Sequence, residues 1–148
     1  MDARIFADGP MSLRDDLLSI PLERRFTYHA RENLFFVNFE GLRVRNSDDI
    51  KQIRRAFETM LGPIGHKVYV IVNYDNFEIF PDVIDEYSAM VRELVDRFYS
   101  GVTRYTTSGF LRTKLGDAFN RRAVAPHIYE SAEEASAHLR TLEGRKAS

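Results

Sequence analysis

A turn rich in hydroxyl groups, with basic side chains nearby, is the part of the sequence best suited to binding an anion. The run 106–109 reads Thr-Thr-Ser-Gly, and a helix is predicted to begin directly after Ser108. The N-terminus of a helix directs free backbone N–H groups at whatever lies beyond it, which favours a phosphate or a carboxylate. The candidate anion-binding residues are Arg104, Thr106, Thr107, Ser108, Gly109 and Arg112. Because neither a P-loop nor a GxGxxG motif is present, ordinary helix capping by Ser108 is the favoured alternative.

A loop that follows a strongly apolar run is the second candidate site. Asp75, Asn76 and Glu78 come after the predicted strand 68–73, and open α/β sheets bind ligands in the crevice at the carboxyl ends of their strands. Asp75 and Glu78 could act there as an acid–base pair. No His or nucleophile that would complete a catalytic set is recognisable, so an Asx turn with solvated carboxylates is the favoured interpretation. We predict no catalytic residue.

Metal and thiol chemistry are not predicted for this sequence. The chain has no Cys, which excludes disulfides, thiolate catalysis and metal sites built from Cys. The histidines lack the close spacing, such as HExxH, that brings metal ligands together. They are His29, His66, His127 and His138. We therefore predict no metal site and no bound cofactor.

Length and charge limit the class of protein. A chain of 148 residues is long enough for one domain with one core. Its net charge of −1 gives no general attraction to nucleic acid or to an anionic membrane. No apolar run approaches the roughly 20 residues of a membrane span, and the first residues lack the apolar segment of a secretory signal. We expect a cytoplasmic protein.

The predicted third helix and its end are basic. Four cations accumulate there, near Tyr105 and Phe110, as in some nucleic-acid-binding surfaces. They are Arg112, Lys114, Arg121 and Arg122. Asp117 interrupts the cluster and the whole chain is slightly acidic. A solvated helix face, or a face that docks on an acidic partner, is therefore favoured, and we predict no nucleic-acid partner.

Alternating strands and helices predict an α/β fold with a mixed sheet of about five strands. The predicted strands are 25–28, 34–40, 68–73, 102–106 and 123–129, and the first two form a leading β-hairpin. The predicted helices start at the N-cap Ser47, at Pro81, after Ser108 and after Ser131, the last ending near Leu142. Ser100 and Gly101 are expected to end the second helix. We predict a lead-in segment at 1–24, a single domain at 25–143 and a frayed tail at 144–148.

Several runs resemble the C-terminal extension of large acyl-CoA:acetate/3-ketoacid CoA-transferases, which are family I CoA-transferases. The most specific run is YSGVTRYTTSGFLRTKLG at 99–116. Two others are PLERRFTYHARENLFFVNFEGLRVR at 21–45 and VNYDNF at 72–77. The resemblance implies an origin in CoA transfer between an acyl-CoA and a carboxylic acid, with a CoA thioester as substrate.

The catalytic glutamate of that family lies in a Glu-(Ser/Asn)-Gly type motif upstream of the extension. Here Glu32-Asn33 is followed by Leu34, so no catalytic residue is carried over. The resemblance therefore implies an accessory, non-catalytic module that acts in docking or assembly. Its implied partners are CoA-transferase catalytic domains, in the same chain or another, and a homo-oligomer is a further possibility.

The predicted element order also resembles the STAS/SpoIIAA-like fold of anti-sigma factor antagonists. In that family the loop after a central strand carries a phosphorylated Ser, whereas the run 75–82 contains no Ser. The alternative function is a STAS-like domain that binds a small ligand, an acyl chain or an anion, or acts in regulation. This alternative predicts an apolar pocket near Phe77, Phe80 and the turn 106–109.

Overall fold

The computed structural model describes residues 21–147, with side chains described for residues 21–142. Most of the predicted lead-in at 1–24 lies outside the described residues. The part within them contributes to a short 3-10 turn, Leu22–Arg25, directly before the first strand.

Six strands lie in the part of the chain that the structure describes. They are β1 (Phe26–His29), β2 (Leu34–Asn38), β3 (Arg43–Val44), β4 (Val68–Asn73), β5 (Glu78–Ile79) and β6 (Tyr99–Tyr105). The main sheet has the order β1-β2-β4-β6, with β1 antiparallel to β2 and the other pairs parallel. β3 and β5 form a separate parallel pair. The prediction of a mixed α/β fold is confirmed, and the carboxyl ends of β2, β4 and β6 meet at one edge of the sheet.

Four α-helices accompany these strands within residues 21–147. They are α1 (Ser47–Leu61), α2 (Ile84–Phe98), α3 (Gly109–Arg121) and α4 (Ala132–Ala147). The predicted start of α1 is wrong by one residue, because Asn46 is the N-cap and its side chain accepts the N–H of Asp49 at 2.9 Å. Asn46 has the extended backbone that an N-cap requires, whereas Ser47 is already helical.

The second helix differs from its prediction at both ends. Pro81 opens a 3-10 turn, and the α-helix itself begins at Ile84. The predicted stop at Ser100 and Gly101 is wrong, because both residues belong to β6. Gly101 has a packing role in that strand. A Cβ atom there would lie 3.2 Å from the Leu142 side chain and 3.4 Å from the Tyr69 ring.

The predicted strand at 123–129 is mostly wrong. Its last residue, Tyr129, makes one parallel bridge with Tyr105 at the edge of the main sheet. Ala123 has a left-handed backbone with φ of 59°, and Pro126 has no N–H to donate. The segment therefore reaches the sheet only at its end. The final helix, α4, continues to Ala147, beyond its predicted end near Leu142.

The core lies mainly between one face of the sheet and the helices α1, α2 and α3. Side chains alternate between the two faces along a strand, so Phe35 and Val37 join this core while Leu34 and Phe36 lie on the other face. The opposite face carries a smaller cluster built on Ile71, Tyr105 and Ala135 of α4. All six residues of β4 are buried, as predicted for the central strand.

Candidate functional site

The turn 106–109 is held together by its own hydroxyl groups. Ser108 Oγ accepts the N–H of Leu111 at 3.1 Å, which confirms the predicted N-cap of α3. Thr106 Oγ1 accepts the N–H of Ser108 at 3.2 Å. Two of the N–H groups that would face an anion are therefore already bonded within the turn.

Asp75 joins the two candidate sites into one. Its Oδ1 accepts the backbone N–H of Thr107 at 2.7 Å and the Thr107 hydroxyl at 3.2 Å. The carboxylate thus lies where the turn would otherwise receive a phosphate or carboxylate ligand. An anionic ligand at the turn would lie next to the negatively charged Asp75 carboxylate and would be repelled by it. The observed contacts therefore support a turn closed by Asp75 more strongly than an anion-binding site.

The two candidate arginines point to different places. Arg112 Nη1 donates to the carbonyl oxygen of Thr106 at 2.8 Å, and Nη2 lies 3.9 Å from Glu130 Oε2. Arg112 therefore stabilises the turn. Arg104 is only 2 % exposed, and its guanidinium donates to the carbonyl oxygen of Ala125 at 3.3 Å. The structure thus places Arg104 in the core.

The surroundings of Arg104 include two buried phenols. The hydroxyls of Tyr74 and Tyr87 are 2.8 Å apart. Burial raises the pKa of both hydroxyls, and the positive charge of Arg104 partly offsets this for each of them. The guanidinium also lies 4.8 Å from the ring centre of Phe119, and among the described residues its Nη2 has no hydrogen-bond partner. The raised pKa values keep the two phenols neutral, and the phenols and the guanidinium are all buried in the core.

Asp75 and Glu78 do not share a partner. Glu78 lies in β5, where its carboxylate forms an ion pair with Arg43 at 2.6 Å. Asn76, which lies between Asp75 and Glu78 in the sequence, has a left-handed backbone with φ of 57°. Asp75 binds Thr107 instead. The predicted acid–base pair is therefore divided between the turn and the small β3–β5 sheet.

The structure adds polar residues that the sequence analysis did not select. Asn38 and Asn73 end the neighbouring strands β2 and β4, where they are paired in register. Asn73 Nδ2 donates to Asn38 Oδ1 at 3.2 Å and to Glu40 Oε1 at 3.3 Å, and its Oδ1 accepts the N–H of Asp75 at 2.8 Å. The signal in the sequence was a polar residue at the end of each of two apolar strands.

A first surface groove, the α3 groove, lies between β5 and α3 and has a volume of about 340 Å³. Its lining residues are Phe77, Glu78, Ile79, Phe80, Ser108, Phe110, Leu111 and Lys114. Phe110 is 78 % exposed and Phe80 is 43 % exposed. Lys114 Nζ donates to the carbonyl oxygen of Ile79 at 3.1 Å, which connects the two walls.

A second surface groove, the α4 groove, lies between α4 and the opposite face of the sheet and has a volume of about 400 Å³. The sheet contributes His29, Leu34, Phe36, Ile71 and Tyr105, the turn between β1 and β2 contributes Glu32, and α4 contributes Ala132, Ser136, Leu139 and Arg140. Its floor is apolar, and its charged residues lie at the rim.

Among the described residues, no three His, Cys, Asp or Glu side chains are grouped closely enough to hold a metal ion. The helices within residues 21–147 are all too short or too polar to cross a bilayer. Comparison of the chain with models of protein families, with curated proteins and with solved structures gives no match. The resemblances to CoA-transferases and to the STAS fold therefore rest on the motifs and the element order.

Proposed function

We propose that this chain is an accessory, non-catalytic module of an acyl-CoA:carboxylate CoA-transferase and that it docks on the catalytic domains. The observation that carries the proposal is the exposure of Phe110, which lies within the signature run 99–116. Phe110 and Phe80 are the exposed large apolar side chains of the described residues, and both line the α3 groove. An exposed apolar patch on a soluble protein commonly marks an interaction site.

The charge around the α3 groove indicates what kind of partner surface fits. Lys114 lies 5.8 Å from the ring centre of Phe110 and supplies a positive charge inside the groove. Glu78, the acidic residue of the lining, is already paired with Arg43. A partner with an apolar side chain for the groove and a carboxylate for Lys114 therefore complements this surface.

The state of the candidate acid–base residues supports a non-catalytic role. Asp75 is bonded to the backbone N–H and the hydroxyl of Thr107, whereas Glu78 is paired with Arg43, so the two carboxylates do not act on a shared group. We expect the isolated chain to show no CoA-transferase turnover. Measurable turnover that is abolished by Asp75→Asn or Glu78→Gln would overturn the non-catalytic assignment.

Binding to a family I CoA-transferase catalytic region, measured by isothermal titration calorimetry, tests the docking proposal. Phe110→Ala should raise the Kd about fivefold or more, as expected for a contact worth at least about 1 kcal/mol. Because Phe110 is exposed, the substitution should leave folding almost unchanged. Arg55→Ala, on the exposed side of α1, is the control and should leave the Kd unchanged. Absence of binding, or equal effects of the two variants, would contradict the proposal.

A second candidate function is a STAS-like ligand-binding domain, and the position of the α3 groove favours it. The groove lies beside Phe77, Phe80 and the turn 106–109, where this alternative predicts an apolar pocket. Its volume of about 340 Å³ lies within the range of small-molecule sites. Native mass spectrometry of the purified chain is the test, and a mass equal to that of the bare polypeptide would count against it.

A further inference from the structure

The outer edge of β5 offers backbone groups that no neighbouring strand uses. Glu78 donates its N–H to the carbonyl oxygen of Leu42 at 2.9 Å. Phe80 donates its N–H to that of Val44 at 3.0 Å, so both of these N–H groups point toward β3. Because backbone groups alternate in direction along a strand, the N–H and C=O of Ile79 point to the opposite edge. Among the described residues β5 pairs with β3 alone, so this edge has no strand partner.

The contact between Lys114 and Ile79 shows that the outer edge of β5 faces the α3 groove. Lys114 belongs to α3, and its Nζ donates to the carbonyl oxygen of Ile79 at 3.1 Å. The N–H of a strand residue points to the same edge as its C=O. A carbonyl oxygen has two lone pairs, so the Ile79 oxygen can accept a second N–H while it keeps Lys114. An incoming extended chain bonds to such a donor and acceptor pair.

The side chains beside this edge are apolar and exposed. Phe80 directly follows Ile79, and Phe110 lies on the opposite wall of the α3 groove. They are 43 % and 78 % exposed, respectively. A chain laid along β5 would direct alternate side chains to the same face. Apolar residues at those positions would cover the two rings and remove their surface from water.

The charges at the α3 groove select an acidic residue in that chain. Lys114 has no ion-pair partner among the described residues, whereas the carboxylate of Glu78 is already paired with Arg43 at 2.6 Å. One positive charge is therefore available next to the edge of β5. A carboxylate on the incoming chain would complement this charge, and an ammonium would be repelled.

We propose that an extended segment of the partner, with apolar residues on either side of one Asp or Glu, adds to β5 as a third strand of the β3–β5 sheet. This inference rests on the proposed docking function of the α3 groove, and it specifies how the partner is recognised. A helix bonds its own N–H and C=O groups internally, so it would leave the backbone of Ile79 unpaired. An extended chain pairs these groups, which favours a strand as the occupant.

NMR titration of the full chain at neutral pH with the peptide acetyl-Leu-Val-Asp-Leu-Val-amide tests this mode of recognition. The peptide should shift the amide signal of Ile79 saturably and slow the hydrogen exchange of this amide at least about tenfold, because the N–H gains an acceptor. The Glu78 amide is the internal control, since it is already bonded to Leu42 and should change much less. No saturable shift at Ile79 would overturn the inference.

Peptide analogues separate backbone pairing from simple apolar contact. The same peptide with methylated backbone nitrogens has the same side chains but no N–H groups to donate. It should bind at least about tenfold more weakly. Equal affinities of the two peptides would overturn strand addition.

Variants at two lysines test the choice of an acidic residue. The native chain should bind the peptide at least about fivefold more tightly than an analogue with Lys in place of Asp. Lys114→Gln keeps an N–H donor for Ile79 but removes the charge, so it should abolish this preference. Lys51→Gln removes the same charge from an exposed position on α1 and should retain the preference. Equal preferences in the two variants would overturn the role of Lys114.

The catalytic region of a family I CoA-transferase distinguishes this inference from the proposed function. Binding that depends on Phe110 and slows exchange of the Ile79 amide would support both. Binding that depends on Phe110 but leaves this exchange unchanged would overturn strand addition and leave the docking function intact. If the catalytic region does not bind while the peptide does, docking on a transferase is wrong and recognition of an extended acidic segment is supported.

Discussion

Asp75 connects the loop after β4 to the start of α3, and removal of its carboxylate should destabilise both segments. Its Oδ1 accepts the N–H and the hydroxyl of Thr107 at 2.7 Å and 3.2 Å. Hydrogen bonds to a charged acceptor contribute about 1.5–3 kcal/mol each, and solvent screening lowers this value at an incompletely buried site. We therefore expect Asp75→Ala to lower the free energy of unfolding by about 2 kcal/mol.

Urea unfolding followed by circular dichroism measures this effect. The slope of the free energy of unfolding against urea concentration should stay constant while the urea concentration at the midpoint falls. This pattern indicates a change of stability rather than of the compactness of the unfolded state. In thermal unfolding the same loss corresponds to about 4–8 °C for a chain of this size. Asp75→Asn keeps an acceptor oxygen without the charge, so it should cost about half as much.

Two comparisons would refute the reasoning. Asp117→Ala removes an exposed carboxylate that has no hydrogen bond among the described residues, and it should change stability by no more than about 0.5 kcal/mol. If Asp75→Ala changed the free energy of unfolding no more than Asp117→Ala, the contacts with Thr107 would contribute nothing to stability. In a double-mutant cycle, Asp75→Ala and Thr107→Val should show a coupling of at least about 0.5 kcal/mol. Strict additivity would show that the hydroxyl contact is absent in solution.

Four further predictions follow from the same geometry. Burial holds the pKa of Tyr74 and Tyr87 above the ordinary value of about 10. Their contribution to stability is therefore complete below about pH 10 and lost at higher pH; stability that stays flat to pH 12 would contradict this. Ser108→Ala should cost about 1 kcal/mol in urea unfolding, and Ser108→Asp should restore most of it because Asp also caps helices. Leu115→Ala, at a fully buried position, should cost about 2–5 kcal/mol in the same assay. Inorganic phosphate should shift the amide NMR signals of residues 107–110 weakly in the native chain and more strongly in Asp75→Asn; equal shifts would show that the carboxylate does not oppose anions.

The main elements of the fold could be predicted because they depend on local patterns. The apolar run 68–73 predicts a strand buried on both faces, and all six of its residues are buried. The spacing of apolar residues around Ile50, Ile53 and Phe57 predicts the buried face of α1, and these residues are buried as well. Ser108 caps its helix as predicted, since capping involves only its nearest neighbours.

The predictions failed where distant residues determine local structure. Ser100 and Gly101 have the composition of a helix stop, yet they continue β6 because that strand pairs with β4 along its length. Glu78 and Ile79 read as a loop, and they form a strand only because Arg43 and Val44 lie beside them. The segment 123–129 has the composition of a strand, but its backbone reaches the sheet only at Tyr129.

The candidate sites also combine features that depend on local sequence with features that depend on distant residues. The sequence by itself determined the strands, the helices, the hydroxyl-rich turn and its capping serine, because these follow from residue types and their spacing along one segment. Only the tertiary structure decided that Asp75 occupies the turn, that Arg104 is buried and that Phe110 is exposed. Those outcomes depend on which segments lie together after folding, and contacts between residues more than 30 positions apart, such as Asp75 with Thr107, leave no periodic signal in the chain.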